Sequence, residues 1–504
     1  MRNLLGLAVA VILGCSGLAC GNVGGTEEGG ANGNDRTNGG DEGEVMETGA
    51  MAISPSGAYI VARRNTTTLI VDVNAKKYTE LEIVGERFAF SKKRDVVYVV
   101  LAGTSGAMAI DLKTATTLWK VTPAFTSSRG AFLAKVTDDD TQLLVADYDR
   151  VFFLDAQTGD VKRTAKVGAG PVDLELLPGE KHAVVVSSTT WGEDGGPHTP
   201  VSLVDVAKEG VATIDVPNCA APIAIPDASR VLLSPTFCQP GKESAPKEGW
   251  KNPDPVSVID IDGDAGSLKF IKNLPGFGPV AMTEAGKAIA YLDMKRIDPA
   301  MFEDPSQIPS ATGPQYHLMT IDPKTTKFDL HAIGASLPRF APSTDGRSLL
   351  VDASVTMLRS EASATVTFGP SGIKAEVKGA FGDNSGALFG VFDLETKKYT
   401  PFQGPAASLD RFVQLGDGSR VFTLKNNGRG GDLFSIDMAS RTSSDLGRNL
   451  RDIGILPDGM TLVLRIRLSA TADGYLREEF CITRDAQTCL SSILYTSPVP
   501  QHDP

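Results

Sequence analysis

Leu69-Ile70-Val71-Asp72-Val73 is a run of branched apolar residues closed by an aspartate, and polar Asn74-Ala75-Lys76-Lys77 follows it. The same figure recurs as MAIDL at Asp111, FFLDA at Asp155, SLVDV at Asp205, SVIDI at Asp260, MTIDP at Asp322, GVFDL at Asp393 and FSIDM at Asp437. Spacings between these eight aspartates are 39, 44, 50, 55, 62, 71 and 44 residues, so one repeat needs about 40 residues and the excess is inserted loop. Each run reads as a short buried strand that ends in a turn. An aspartate at such an end can accept hydrogen bonds from turn amides, which makes these side chains structural.

Hairpins precede the aspartate strands. Met51-Ala52-Ile53-Ser54-Pro55-Ser56-Gly57-Ala58-Tyr59-Ile60-Val61-Ala62 reads as strand, turn, strand, and similar turns lie at Thr283–Lys287, Ser343–Arg347, Gly416–Ser419 and Pro457–Met460. Four strands per unit without any amphipathic helix define an all-β chain and the arithmetic of a β-propeller blade. Eight four-stranded blades are expected. Seven or nine stay open, because a ninth unit spans Asp452–Thr496, with a hairpin at Ile455–Gly459 and Cys481 in the aspartate's place. The units resemble blades of the bacterial YVTN-type and WD40-like propeller families over residues 46–497, with 498–504 as a tail. The Gly-His and Trp-Asp pairs of true WD40 blades are missing, so that resemblance implies architecture and no WD40 function.

The N-terminus carries an address. Arg2, the apolar stretch Leu4–Gly14 and then Cys15 read as a secretion signal, too short for a permanent span of about 20 residues. Ile12-Leu13-Gly14-Cys15 resembles the lipobox of bacterial lipoproteins, which implies lipid attachment at Cys15; Gly17-Leu18-Ala19-Cys20 is the alternative, and an unlipidated signal peptide the rival reading. Residues 1–20 therefore form the signal and lipobox region. Residues 21–45 hold nine Gly, four Asn and six acidic residues, a disordered tether. The expected location is the envelope of a bacterium, exported and lipid-anchored, at the outer membrane.

A formal charge of −12 without a basic block argues against nucleic acid, because phosphate binding needs a concentrated positive face. The four remaining cysteines form two local pairs, Cys219 with Cys238 and Cys481 with Cys489, expected as disulfides in an oxidising compartment. Asp260, Asp262 and Asp264 match part of a calcium loop, but the glycine is late and Ile271 stands where a bidentate Glu is needed. No other metal or cofactor is expected.

Function should lie where blades exceed the minimum. Between second and third strands the fourth unit inserts Thr189–Pro200, the fifth Gln239–Asp254, the sixth Lys295–Tyr316 and the seventh Arg359–Gly386, all on one face of a ring. Trp191, His198, Trp250, Arg296 and Tyr316 are the candidate contact residues; small satellite cores among the loops are the competing reading. Catalytic signatures such as Gly-x-Ser-x-Gly or His-Glu-x-x-His are missing. A non-catalytic binding module for an envelope protein or glycan is expected, with a hydrolase or lyase in the central channel as the alternative.

Overall fold

The computed structural model describes residues 51–498 apart from 65–66, 102–105, 123–132, 193–195, 236–254, 284–285, 295–297, 310–315, 335–338, 344–346, 353–364, 370–371, 377–387, 404–410, 427–430 and 469–474. Cys15, Cys20, Cys238, Trp250, Arg296, the tether and residues 499–504 of the tail thus lie outside the described residues, while Pro498 ends the last strand. What is described is strand throughout, apart from two single-turn 3-10 helices at Pro299–Met301 and Pro305–Gln307. The second strands are continuous branched or apolar runs, such as Val96–Leu101 and His182–Ser187, and are buried along their whole length. Fourth strands such as Lys77–Leu81 and Thr116–Val121 are mostly exposed, as expected for the outer edge of a blade.

The strands pair antiparallel in chain order, inner to outer, in sheets numbered here from first to ninth. The first to seventh span 51–81, 85–121, 133–166, 171–216, 220–274, 277–334 and 339–403. Strand Thr442–Ile455 is the outer strand of the eighth sheet and continues as the inner strand of the ninth, which then adds Leu462–Leu468, Tyr475–Thr483 and Ser491–Pro498. The fold is a β-propeller, and the described strands group into nine such units where eight were expected and seven or nine left open. Eight aspartates mark only eight units because the ninth ends its third strand differently.

Register shows how. Asp72, Asp155 and Asp437 pair with the first residues of the preceding strands, Tyr59, Gln142 and Arg420. In the ninth sheet that place belongs to Thr483, paired with Leu462; Cys481, assigned to it from the sequence, sits two residues earlier opposite Leu464. The turn acceptor has moved to Asp485, which takes the N–H groups of Gln487 and Thr488 at 2.8 Å each. Most of the aspartates act as read: Asp155 accepts from Gln157 and Thr158, Asp205 from Ala207 and Lys208, and Asp393 from Glu395 and Thr396, whereas Asp260 is held by the Arg230 guanidinium.

Nine clusters of buried side chains fill the space between consecutive sheets. Tyr98 and Trp119 of the second pack on Phe152 and Leu154 of the third, and Val184 and Leu203 of the fourth on Val231 and Ile259 of the fifth. The last cluster joins Ile60, Leu69 and Val71 of the first sheet to Val463, Phe480 and Tyr495 of the ninth. A ring has as many seams as blades, so this cluster closes it. Among the described residues, the closing seam is held by side chains, without a strand shared between the two ends. Gly57, at φ +70°, lets the first hairpin approach the ninth, where an added Cβ would stand 2.8 Å from Pro457 Cδ.

Candidate functional site

All four insertions do join second to third strands: between Ser187 and Pro197, Pro235 and Val256, Asp293 and Tyr316, and Asp352 and Leu388. Antiparallel alternation sends those connections to one end of the ring, opposite the aspartate turns. In the fourth sheet, strand Pro197–Asp205 outruns its partner, pairing with His182–Ser187 only from Val201 onward. Its free beginning pairs instead with Thr190–Trp191, Thr190 opposite His198 and Trp191 opposite Pro197. This ribbon stands on the end of the blade with Trp191 and His198 half-buried.

A row of hydrogen bonds ties the ribbon to its neighbours. Gly170 N–H donates to Tyr148 O at 2.5 Å, and Ser188 donates to Gly170 O through both its N–H, at 2.7 Å, and its hydroxyl, at 2.8 Å. Thr199 Oγ1 donates to Asn218 O at 2.6 Å, so in its 2.7 Å pairing with Thr189 Oγ1 it is the acceptor. Connections of the third, fourth and fifth blades are thereby fixed in one strip. Cys219, next to Asn218, is disulfide-bonded.

Two residues of this strip were not singled out from the sequence. Tyr148 occupies the two-residue turn between Asp147 and Arg150, at φ 45°, with its side chain among the most exposed large apolar groups at 54%. Val172, at the start of strand Pro171–Leu176, is 42% exposed. The signal in the sequence is an aromatic at a turn tip of an otherwise minimal blade, which insertion length does not reveal.

The sixth insertion behaves as a satellite core. Asp298 and Asp304 each cap a proline-started turn, accepting from Ala300 and Ser306 N–H. Phe302 is buried 5.8 Å from Phe328, and Glu303 meets Lys272 at 2.7 Å. This segment therefore folds over the outer strands of the fifth and sixth sheets. Tyr316 opens strand Tyr316–Ile321 opposite Asp293. The seventh insertion contains a hairpin, Thr365–Gly369 with Gly372–Glu376.

On the channel side, Lys135 of inner strand Leu133–Val136 reaches Glu175 of Pro171–Leu176 at 2.7 Å. Asp173, two residues earlier, accepts from Ile223 N–H at 2.8 Å and Leu174 N–H at 2.9 Å, bridging to the fifth blade. Burial raises both carboxyls above their ordinary range, against those amides at Asp173 and against Lys135 at Glu175. These contacts are rungs between inner strands, with one carboxylate oxygen of Glu175 held by Lys135.

The aspartates of the partial calcium loop make other contacts. Asp260 forms a salt bridge with the Arg230 guanidinium at 2.5 Å, Asp262 caps its own turn by accepting from Ala265 N–H, and the two do not share a centre with Asp264. Among the described residues, no three His, Cys, Asp or Glu side chains form a metal-binding group. Cys481 and Cys489 are joined by a disulfide across the ninth sheet's last turn, with Cα atoms 5.3 Å apart.

Strand order, inner-to-outer sheets and seam cores define the class: this is a β-propeller. No protein-family model and no curated protein matches the chain. Among solved structures it is similar to the C-terminal WD40 domain of Sif2, at 9% identity and TM-score 0.42 over 76% of this chain and 92% of that one. The Swd1 β-propeller domain of Myceliophteria thermophila aligns at 11% identity and TM-score 0.36, over 83% and 92%. The dihydro-heme d1 dehydrogenase NirN, in complex with DHE, aligns at 11% identity and TM-score 0.45, over 80% and 74%.

Proposed function

We propose that this protein is an exported, lipid-anchored propeller that works as a non-catalytic binding module, taking a protein or glycan of the bacterial envelope on the insertion end of blades three to five. One observation carries the reading: exposed Tyr148 and Val172 and half-buried Trp191 lie on connections that hydrogen-bond to one another, so apolar contact area is presented on a braced surface. Rigid aromatic anchors lose little entropy on binding, which suits a recognition surface. The signal, Cys15 or Cys20 as lipid site, and the tether supply the address.

The test is binding of the full chain to isolated envelope and to a panel of envelope glycans, compared with a Tyr148→Ala/Trp191→Ala double variant. Capture by the native chain, with at least tenfold loss in the variant at unchanged melting temperature, supports the reading; equal capture by both rejects this surface. Metabolic palmitate labelling of Cys15→Ser and Cys20→Ser variants decides the anchor. A second reading is favoured by Asp173 and Glu175: carboxyls raised by burial beside a channel are the groups a hydrolase or lyase would use. Turnover of an envelope substrate, abolished by Glu175→Gln, would replace the first reading.

A further inference from the structure

Histidines stand on both faces of the sixth blade. His317, 5% exposed, lies opposite Leu292 on the face that carries Met319 and Ile321, which pack against Val256, Val258 and Leu274 of the fifth blade. His331, half-buried and paired with Leu318, lies on the other face, where Leu318 packs on the seventh blade and the imidazole stands 4.9 Å from the Phe392 ring. Each seam of this blade therefore holds one imidazole against apolar side chains.

Little in either seam answers a positive charge. His317 Nδ1 is buried without a hydrogen-bond partner, and His331 has the Thr320 hydroxyl 3.3 Å from Nε2. Burial alone lowers His317, to about 4; burial, Lys397 of the seventh blade and His317 lower His331, to about 4, against Asp329. Charged groups on the facing strands and turns are engaged elsewhere. Asp260 is held by Arg230 and stands opposite Lys269, Asp322 is held by Lys287, Lys272 by Glu303, and Asp262 and Asp393 cap their own turns. In the fourth blade, by contrast, His182 has Asp205 at 3.9 Å. Neutral imidazole is thus the form that the two seams favour, and the stability it gives is lost as pH falls toward the folded value.

We infer that the sixth blade is an acid-sensitive element of the ring: protonation of His317 and His331 places a charge in both of its seams at once and loosens this blade while the others stay packed. Arg230 donates from Nη1 to Pro323 O at 2.5 Å and Lys324 O at 2.7 Å, a tie from the fifth blade that acid does not remove, so the blade opens without leaving the ring.

Hydrogen exchange of the full chain, read by mass spectrometry at pH 7 and 4.5 and corrected for the intrinsic pH dependence of exchange, tests this. In acid, strands Ala288–Asp293 and Tyr316–Ile321 should exchange about tenfold faster or more, with Val96–Leu101 of the second blade unchanged. That acceleration should be lost in a His317→Leu/His331→Phe double variant. Equal behaviour of the sixth and second blades, or acceleration that persists in the double variant, overturns the inference. Should that variant not fold, hydrogen exchange at the imidazole Cε1 positions of the native chain decides in its place. Protonation of both rings while the strands stay protected overturns the inference, and protonation that accompanies their opening supports it.

Discussion

Arg64 Nη1 donates to the Tyr495 hydroxyl at 2.7 Å across 431 residues of sequence, with the guanidinium carbon 4.5 Å from the ring centroid. That one pair joins the residue after the second strand of the first blade to the last strand of the ninth. The hydroxyl in turn donates to Glu80 at 2.8 Å, so Tyr495 sits in the middle of a relay that spans the seam.

Replacing Tyr495 by Phe keeps the ring and deletes the relay. A buried guanidinium then loses an acceptor, and stability should fall by about 1 to 3 kcal/mol. Urea unfolding with unchanged m-value would show it, and a loss under 0.5 kcal/mol would mean that water replaces the hydroxyl.

Glu478 should be far less replaceable. Burial pushes its carboxyl up, but Arg465, Arg451 and Arg64 together outweigh burial and hold it below the ordinary range. Glu478→Ala strands buried cations and should cost about 3 to 5 kcal/mol. Denaturant unfolding measures this; a cost below that of Tyr495→Phe would show the cluster to be solvated.

The blade turns should make the protein resistant to moderate acid. Thr488 and Gln487 N–H groups, with the Thr483 hydroxyl, hold Asp485 at about 2, and the Gln157 and Thr158 N–H groups lower Asp155 likewise. A lowered folded pKa gives stability that is present above the unfolded value near 4 and is lost only as pH falls toward the folded one. Asp155→Ala should cost about 1 kcal/mol at pH 7, by analogy with a lost capping carboxylate, and the difference from the native chain should shrink as pH falls below the ordinary carboxylate range. Paired melting curves from pH 7 to 2 test this.

A second acid response comes from the sixth blade. Burial lowers His317 to about 4, and burial with Lys397 lowers His331 to about 4, against Asp329. Neutral imidazoles are favoured in the fold, so their contribution is complete above about 6.5 and declines as pH falls toward 4. His331 lies 4.9 Å from Phe392 of the seventh blade. In His331→Phe the melting temperature should fall less steeply between pH 6.5 and 4; an unaltered slope would exclude this histidine as a source.

Reduction should be felt at the end of the chain. The Cys481–Cys489 bridge closes a loop with a sequence separation of 8, worth about 2 to 3 kcal/mol in the chain-entropy treatment. Cys481→Ala/Cys489→Ser should melt a few degrees lower, and adding reductant should leave that melting temperature nearly unchanged if this bridge dominates.

The repeat of apolar strand and aspartate determined the architecture because strand burial and turn capping are local: Val71 and Asp72, or Phe392 and Asp393, need only their near neighbours. Insertion lengths likewise placed the long loops on one end, since alternation along four strands fixes which end a connection occupies. Tertiary structure alone decided the rest. That Thr483, with Asp485 two residues on, replaces the aspartate follows from register, which Cys481 cannot reveal. That Asp260 pairs with Arg230 depends on a partner 30 residues away across strands. Tyr148 and Trp191 share a braced strip only because Gly170 and Ser188 bond between blades. Arg64, Arg465 and Glu478 are ordinary surface-type residues in sequence; closing the ring buries them, because the first blade covers the face of the last that the eighth does not.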